Sequence, residues 1–109
     1  MELWDEINTE LTLLNRAVAE LRVRGRAYAE AEYKYRVALS KRLTVLRAEG
    51  NPVTNLSDIA RGEQEIASLK MQRDIAESLY QSNLEAINAY KLKLKLLDNQ
   101  LGREWGVQK

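Results

Sequence analysis

The stretch that decides the fold runs from Ile66 to Leu101 and reads IASLKMQRDIAESLYQSNLEAINAYKLKLKLLDNQL. Its large residues recur at alternating spacings of three and four, which is the period of one face of an α-helix. This seam comprises Ile66, Leu69, Arg73, Ala76, Tyr80, Asn83, Ile87, Tyr90, Leu94, Leu97 and Leu101. The pattern predicts a helix over 63–105.

The N-terminal half of the chain carries a second seam with the same spacing. It begins as a run of apolar residues and is later interrupted by a glycine, a glutamate and an arginine. Its members are Trp4, Ile7, Leu11, Leu14, Val18, Leu21, Gly25, Tyr28, Glu32, Tyr35, Leu39, Arg42 and Leu46. This pattern predicts a helix over 2–49.

The segment between the two seams has the features of a turn. Gly50-Asn51-Pro52 predicts the end of the first helix, because glycine accepts the left-handed cap conformation and proline cannot continue the hydrogen-bond ladder. Asn55, followed by Asp58, predicts a short helix over 56–61. Gly62 is the predicted joint to the last helix.

These elements predict an all-α protein with a single domain over 1–109. The expected fold is a long antiparallel helical hairpin with coiled-coil-like packing, in which a turn and short helix over 50–62 join the helices over 2–49 and 63–105. With the turn centred near position 56, this register places Tyr28 near Asn83. Trp4 and Trp105 then lie at the open end, where we favour an aromatic lid over a docking anchor.

A two-helix hairpin has little interior, and further apolar residues flank the seams. They are Leu13, Val37, Val45, Ile75, Leu79, Leu92 and Leu96. Because so broad an apolar face requires a partner surface, we expect a homo-oligomer, most simply a dimer that forms a four-helix bundle.

Composition excludes several classes of function. Seventeen basic and sixteen acidic residues give a net charge of +1, so no global field draws the chain to nucleic acid or an anionic membrane. The chain has no histidine and no cysteine, which removes the usual nucleophile–base pairs and thiolate metal sites. We therefore expect no enzymatic activity, no metal and no cofactor. The acidic N-terminus and the lack of long apolar runs predict a cytoplasmic protein without a membrane span.

Polar residues in the middle of the two seams form the first candidate site. They are Tyr28, Glu32, Tyr35, Arg73, Tyr80 and Asn83. The favoured interpretation is a polar layer that fixes helix register, with Glu32 facing Arg73 and Asn83 facing a tyrosine hydroxyl. The alternative is a pocket that holds a small polar ligand.

A band of basic residues is the second candidate site. It would join residues of the first helix to residues of the last helix that lie roughly opposite them: Arg22, Arg24, Arg26, Lys91, Lys93 and Lys95. Such a band could contact phosphates, but we favour solvated surface because Glu20 and Glu30 dilute the charge.

Four stretches resemble a known group of proteins: Gly25-Arg26-Ala27-Tyr28-Ala29-Glu30-Ala31-Glu32, Gly50-Asn51-Pro52-Val53-Thr54, Arg73-Asp74-Ile75-Ala76-Glu77-Ser78-Leu79-Tyr80 and Arg103-Glu104-Trp105-Gly106. The chain resembles small uncharacterised helical proteins of tailed phages and prophages of Gram-positive bacteria, often encoded near replication and recombination genes. The resemblance covers nearly the whole chain and implies an accessory role in a host cytoplasm. It carries over no functional residue.

The leading hypothesis is a non-enzymatic phage accessory protein, an oligomeric helical bundle that binds a host or phage protein. One alternative is a replication or recombination accessory factor that binds nucleic acid through the basic band. Another is a bundle that sequesters a small ligand at the polar layer. The identity of the partner and the exact oligomeric state stay open at this point.

Overall fold

A computed structural model describes residues 2–105. Helix accounts for 93% of them and no strand occurs in that range, which confirms the all-α class. Helix α1 spans Leu3–Ala48, a single 3-10 turn spans Val53–Asn55, α2 spans Leu56–Gly62 and α3 spans Gln64–Glu104. Gly106, the last residue of the fourth quoted stretch, lies outside the described residues.

The end of α1 has the local structure that the sequence predicts. Gly50 has a φ of +88°, a backbone conformation that L side chains rarely adopt. The Gly50 amide donates to the carbonyl of Arg47 at 3.1 Å, and the Asn51 amide donates to the carbonyl of Leu46 at 3.2 Å. This pair of bonds is the Schellman motif, which satisfies carbonyls that the helix end would otherwise leave unpaired.

The joint before α3 differs from the prediction by one residue. Gly62 still belongs to α2, whereas Glu63 takes the extended conformation with φ −73° and ψ 140°. The carbonyl of Glu63 then accepts the amide of Ala67 at 2.8 Å, as the cap of a new helix does. Asn55 precedes α2 without a side-chain capping bond, so the start of α2 depends on packing.

The chain forms two compact units, which are named here by their place in the sequence. The central unit is Arg24–Tyr80 and the terminal unit joins residues 2–23 to residues 81–105. In the central unit, Leu46 of α1 packs with Leu56 and Ala60 of α2 in a buried cluster. This cluster holds the short helix against the end of α1.

The seam predicted for α3 is confirmed, because all eleven of its positions are buried or partly buried. In the terminal unit, the seam predicted for α1 is confirmed at Ile7, Leu14 and Leu21, which are partly buried, but is wrong at the positions between them. Leu11 and Val18 are exposed there, and the preceding residues, Glu10 and Ala17, face inwards. The inward face is therefore turned towards the preceding residues by less than the roughly 100° between successive helical residues, because Ile7, Leu14 and Leu21 stay on it.

Candidate functional site

The centre of the first candidate site is an ion pair in the central unit. Arg73 Nη1 donates to Glu32 Oε1 across the two long helices at 3.2 Å, and Arg73 Nε donates to Asp74 Oδ1 at 2.8 Å. The Arg73 guanidinium also lies 4.9 Å from the centre of the Tyr35 ring, a cation–π distance. The predicted pairing of Glu32 with Arg73 is thus present.

A second contact across the helices of the central unit involves two tyrosines. The Tyr28 hydroxyl donates to Glu77 Oε2 at 2.7 Å, and this hydrogen bond raises the pKa of Tyr28. The Tyr28 and Tyr80 ring centres are 5.9 Å apart with the planes tilted by 35°. At Gly25, an added Cβ would lie 3.3 Å from the Tyr80 ring, so the glycine gives the ring its space.

Asn83, the sixth predicted member of the polar layer, lies in the terminal unit. Its Nδ2 donates to the backbone carbonyl of Ala17 at 2.9 Å. Asn83 was predicted to contact a tyrosine hydroxyl, but its Nδ2 bonds to the backbone instead, so the prediction is wrong for that donor. The small side chain of Ala17 leaves the carbonyl within reach of a side chain from α3.

The geometry of the ion-pair cluster favours a structural role over a ligand pocket. The donors of Arg73 are directed at carboxylates of the same unit, and the Tyr28 hydroxyl is directed at Glu77. Lys70 donates to Asp74 at 3.0 Å, and this bond, followed by that from Arg73, lowers the pKa of Asp74. A guest would have to compete with these internal bonds.

Beside this cluster lies a groove of about 880 Å³, which we call the basic groove. It is bounded by α1, by the 3-10 turn with α2, and by the start of α3. Five of its lining residues are cations: Arg36, Arg47, Arg61, Lys70 and Arg73. Glu32 is the one carboxylate among the lining residues that the structure describes. Sequence reasoning missed this groove because Arg47 and Arg61 come together only when α2 folds back beside α1.

A second groove of about 720 Å³ lies in the same unit and contains the Arg42–Glu63 ion pair. Arg42 Nε donates to Glu63 Oε1 at 2.6 Å and Arg42 Nη2 donates to Glu63 Oε2 at 2.7 Å. These bonds lower the pKa of Glu63 and raise that of Arg42. Because Glu63 is the joint between α2 and α3, the pair fastens that joint to α1. The sequence presented Arg42 only as a polar interruption of the seam.

The predicted basic band is divided between the two units. Arg24 and Arg26 belong to the central unit, and Arg26 forms an ion pair with Glu30 at 2.9 Å. Lys93, in the terminal unit, donates to Glu10 at 2.8 Å, which raises the pKa of Lys93. The remaining members of the band, Arg22, Lys91 and Lys95, are exposed.

Glu10 is a buried acid that sequence reasoning missed. Only 6% of the residue is exposed, and its Oε2 is enclosed without a hydrogen-bond partner among the described residues. Its ion pair with Lys93 is made by Oε1. The only sequence signal is that Glu10 lies between Ile7 and Leu14 on the inward side of α1.

The two tryptophans line one groove of the terminal unit, with a volume of about 790 Å³. Trp4 is 54% exposed and Trp105 is 73% exposed. Both rings are accessible to solvent, as a docking anchor requires. A half-exposed ring such as Trp4 can also rest one face on the helices, so the preference for a lid stays a prediction.

Comparison of the chain with known protein families, with curated proteins and with solved structures gives no match. Among residues 2–105, no cluster of three or more potential ligand residues could hold a metal ion. Over the same residues, every helix is too short or too polar to cross a membrane.

Proposed function

We propose that this chain is a non-enzymatic interaction protein, which self-associates into a helical bundle and binds a protein partner. One observation carries the proposal. Among residues 2–105, fourteen large hydrophobic side chains are exposed, whereas only seven hydrophobic residues are buried. Apolar surface of that extent is typical of a protein whose partner surfaces lie on other molecules.

The exposed apolar residues follow helical spacing. In the central unit, Met71, Ile75 and Leu79 are four residues apart on α3, and the first two are 57% and 52% exposed. In the terminal unit, Leu92 and Leu96 repeat the same spacing. Covering a half-exposed side chain of this size contributes about 1 kcal/mol. A dimer that covers such stripes is the simplest closed assembly.

The resemblance to helical phage and prophage proteins supplies the biological context of the proposal. A protein of this kind would act in the host cytoplasm as an accessory factor, and its partner would be a host or a phage protein. A protein partner is favoured over nucleic acid, because ion pairs occupy Lys93 and Arg26 within the predicted basic band.

Self-association is tested by sedimentation of the purified chain over a concentration series. We expect an oligomer, and we expect Ile75→Glu or Leu92→Glu to weaken it about tenfold or more, because the new carboxylate would be buried in the interface. Gln72→Glu is the matched control, since it places the same charge at an exposed position of α3. A monomer at every concentration, or an assembly that tolerates both variants, would contradict the proposal.

Partner binding is tested by affinity capture from a host lysate, divided into nuclease-treated and untreated halves. One protein retained at near-stoichiometric yield in both halves is the expected result. Co-purification that disappears with nuclease would move the function to nucleic acid, and capture of nothing would reject a protein partner. Substrate turnover that depends on Glu32 or Arg73 would contradict the proposal that the protein is not an enzyme.

A further inference from the structure

The basic groove is long enough to accept a helix. Its lining residues on α1 run from Glu32 to Arg47, which corresponds to about 22 Å at 1.5 Å per residue. About four turns of an α-helix span that distance. Its other wall is formed by α2 and by the part of α3 that carries Lys70 and Arg73.

The charge of the groove is strongly one-sided. Glu32 is held by Arg36 and Arg73, and Asp74, which lies just outside the lining, is held by Lys70 and Arg73. When both carboxylates are set against the five lining cations, an excess of three positive charges remains. Neither Arg47 nor Arg61 forms an ion pair with a described residue, and both are exposed.

The floor of the groove is apolar. Leu39 and Leu43 line it beside Leu56, and all three belong to or pack against the buried cluster that holds α2. Val53, at the rim, is exposed. An occupant that satisfies both features needs apolar side chains on one face and acidic side chains at the edges of that face.

We propose that the basic groove is the docking site for an acidic amphipathic helix of a partner protein. Apolar residues at helical spacing would cover Leu39, Leu43 and Val53, and flanking carboxylates would meet Arg47 and Arg61. Nucleic acid fits the groove less well, because phosphates would leave the leucine floor uncovered. This inference rests on the proposed function and specifies the class of partner.

The test uses the full chain and a displayed library of 20-residue helical peptides, with single-stranded and duplex 20-nucleotide DNA as separate probes. We expect acidic peptides with apolar residues at spacings of three and four to be enriched. Arg47→Glu combined with Arg61→Glu should weaken their binding about tenfold or more, because both changes replace attraction with repulsion at the groove. Val53→Asp should also weaken binding, with the fold unchanged, since Val53 is exposed.

The matched control is Arg16→Glu combined with Lys41→Glu, which changes the net charge equally at exposed positions outside the basic groove. Affinity within about twofold of the original chain is expected for this control. Basic or non-amphipathic peptides, no enriched peptide, or enriched peptides that tolerate the double reversal would each overturn the inference. DNA binding that the double reversal abolishes would assign the groove to nucleic acid. If the peptides fail while self-association and lysate capture persist, the proposed function stands and its partner surface lies elsewhere.

Discussion

Replacing the buried acid Glu10 with methionine should stabilise the protein, although it removes an ion pair. Glu10 lies on the inward face of α1 in the terminal unit, with Oε1 bound to Lys93 and Oε2 without a partner among the described residues. An enclosed acceptor without a donor loses its hydration and gains nothing in exchange. Methionine has a similar length and no polar atom that requires a partner.

The expected magnitude follows from two contributions. Removing the unpaired oxygen recovers about 1–3 kcal/mol, the usual cost of an unsatisfied buried polar group. Loss of the bond to Lys93 offsets part of this gain, and the lysine side chain, which is 61% exposed, regains hydration. A net increase of about 1–2 kcal/mol in the free energy of unfolding is expected, which raises Tm by several degrees for a chain of this size.

The assay is urea denaturation monitored by circular dichroism, repeated at several protein concentrations because the proposed self-association would contribute to stability. Glu30→Met is the matched control. Glu30 also forms an ion pair, with Arg26, but its side chain is 58% exposed, so a change of no more than about 0.5 kcal/mol is expected. Lys93→Met alone should destabilise the chain, because it leaves the Glu10 carboxylate unpaired. A decrease in stability for Glu10→Met would refute the reasoning and would mean that the pair is favourable even with one oxygen enclosed.

Three further outcomes are expected. Leu46→Ala should lower the free energy of unfolding by about 2–4 kcal/mol in urea denaturation, because Leu46 is buried in the cluster with α2. The control Val45→Ala, at the exposed neighbouring position, should lower it by less than about 1 kcal/mol. Equal losses would contradict this packing. By thermal melting, Gly25→Ala should be neutral or should stabilise the chain by up to about 1 kcal/mol, because the gain in helix propensity offsets the 3.3 Å contact of the new Cβ with the Tyr80 ring. Gly25→Leu should destabilise the chain by about 1–3 kcal/mol. A tolerated leucine would mean that the Tyr80 ring is free to move. The ion pair with Arg42 lowers the pKa of Glu63 in the folded state, so the stability that this pair contributes is fully present above the unfolded pKa and is lost as pH falls through the folded pKa. Arg42→Gln should therefore flatten the acid side of the profile of unfolding free energy against pH. An unchanged acid side would contradict this pairing.

The parts of the fold that depend on local rules could be predicted from the sequence. Gly50 caps α1 as expected, because its conformation follows from residues within one turn of it. The α3 seam was predictable because its spacing of three and four continues without a break from Ile66 to Leu101. In the first half of α1, two phases compete: Leu11 with Val18 has the more apolar pattern, yet Glu10 with Ala17 faces inwards. Hydrophobicity alone cannot predict the second phase, because its contacts are polar and distant in sequence: Glu10 pairs with Lys93, and the carbonyl of Ala17 accepts a bond from Asn83.

The candidate site was predictable only where two oppositely charged residues of the seams pair with each other. The Glu32–Arg73 pair could be foreseen, since each is a strongly polar residue in an otherwise apolar stretch. The bond between Tyr28 and Glu77 could not, because the predicted register paired Tyr28 with Asn83, about six residues or nearly two helical turns further along α3, and Glu77 lies beside the predicted seam. The basic groove depends on the position of α2, for which the sequence offers no distance information.

The polar pairs inside the two units and the apolar stripes outside them serve different purposes. Glu32 meets Arg73, and Arg42 meets Glu63, in the same antiparallel alignment of α1 with α3, so a shift of one heptad would separate both pairs at once. Apolar side chains enforce no such alignment, because leucine packs against leucine in many registers. The prediction that polar pairs fix the register applies to these two pairs, and the exposed stripe of Met71 and Ile75 takes no part in them. A charge substitution in the Glu32–Arg73 or Arg42–Glu63 pair should therefore disturb folding and the proposed association together, whereas one at Ile75 should disturb the proposed association alone.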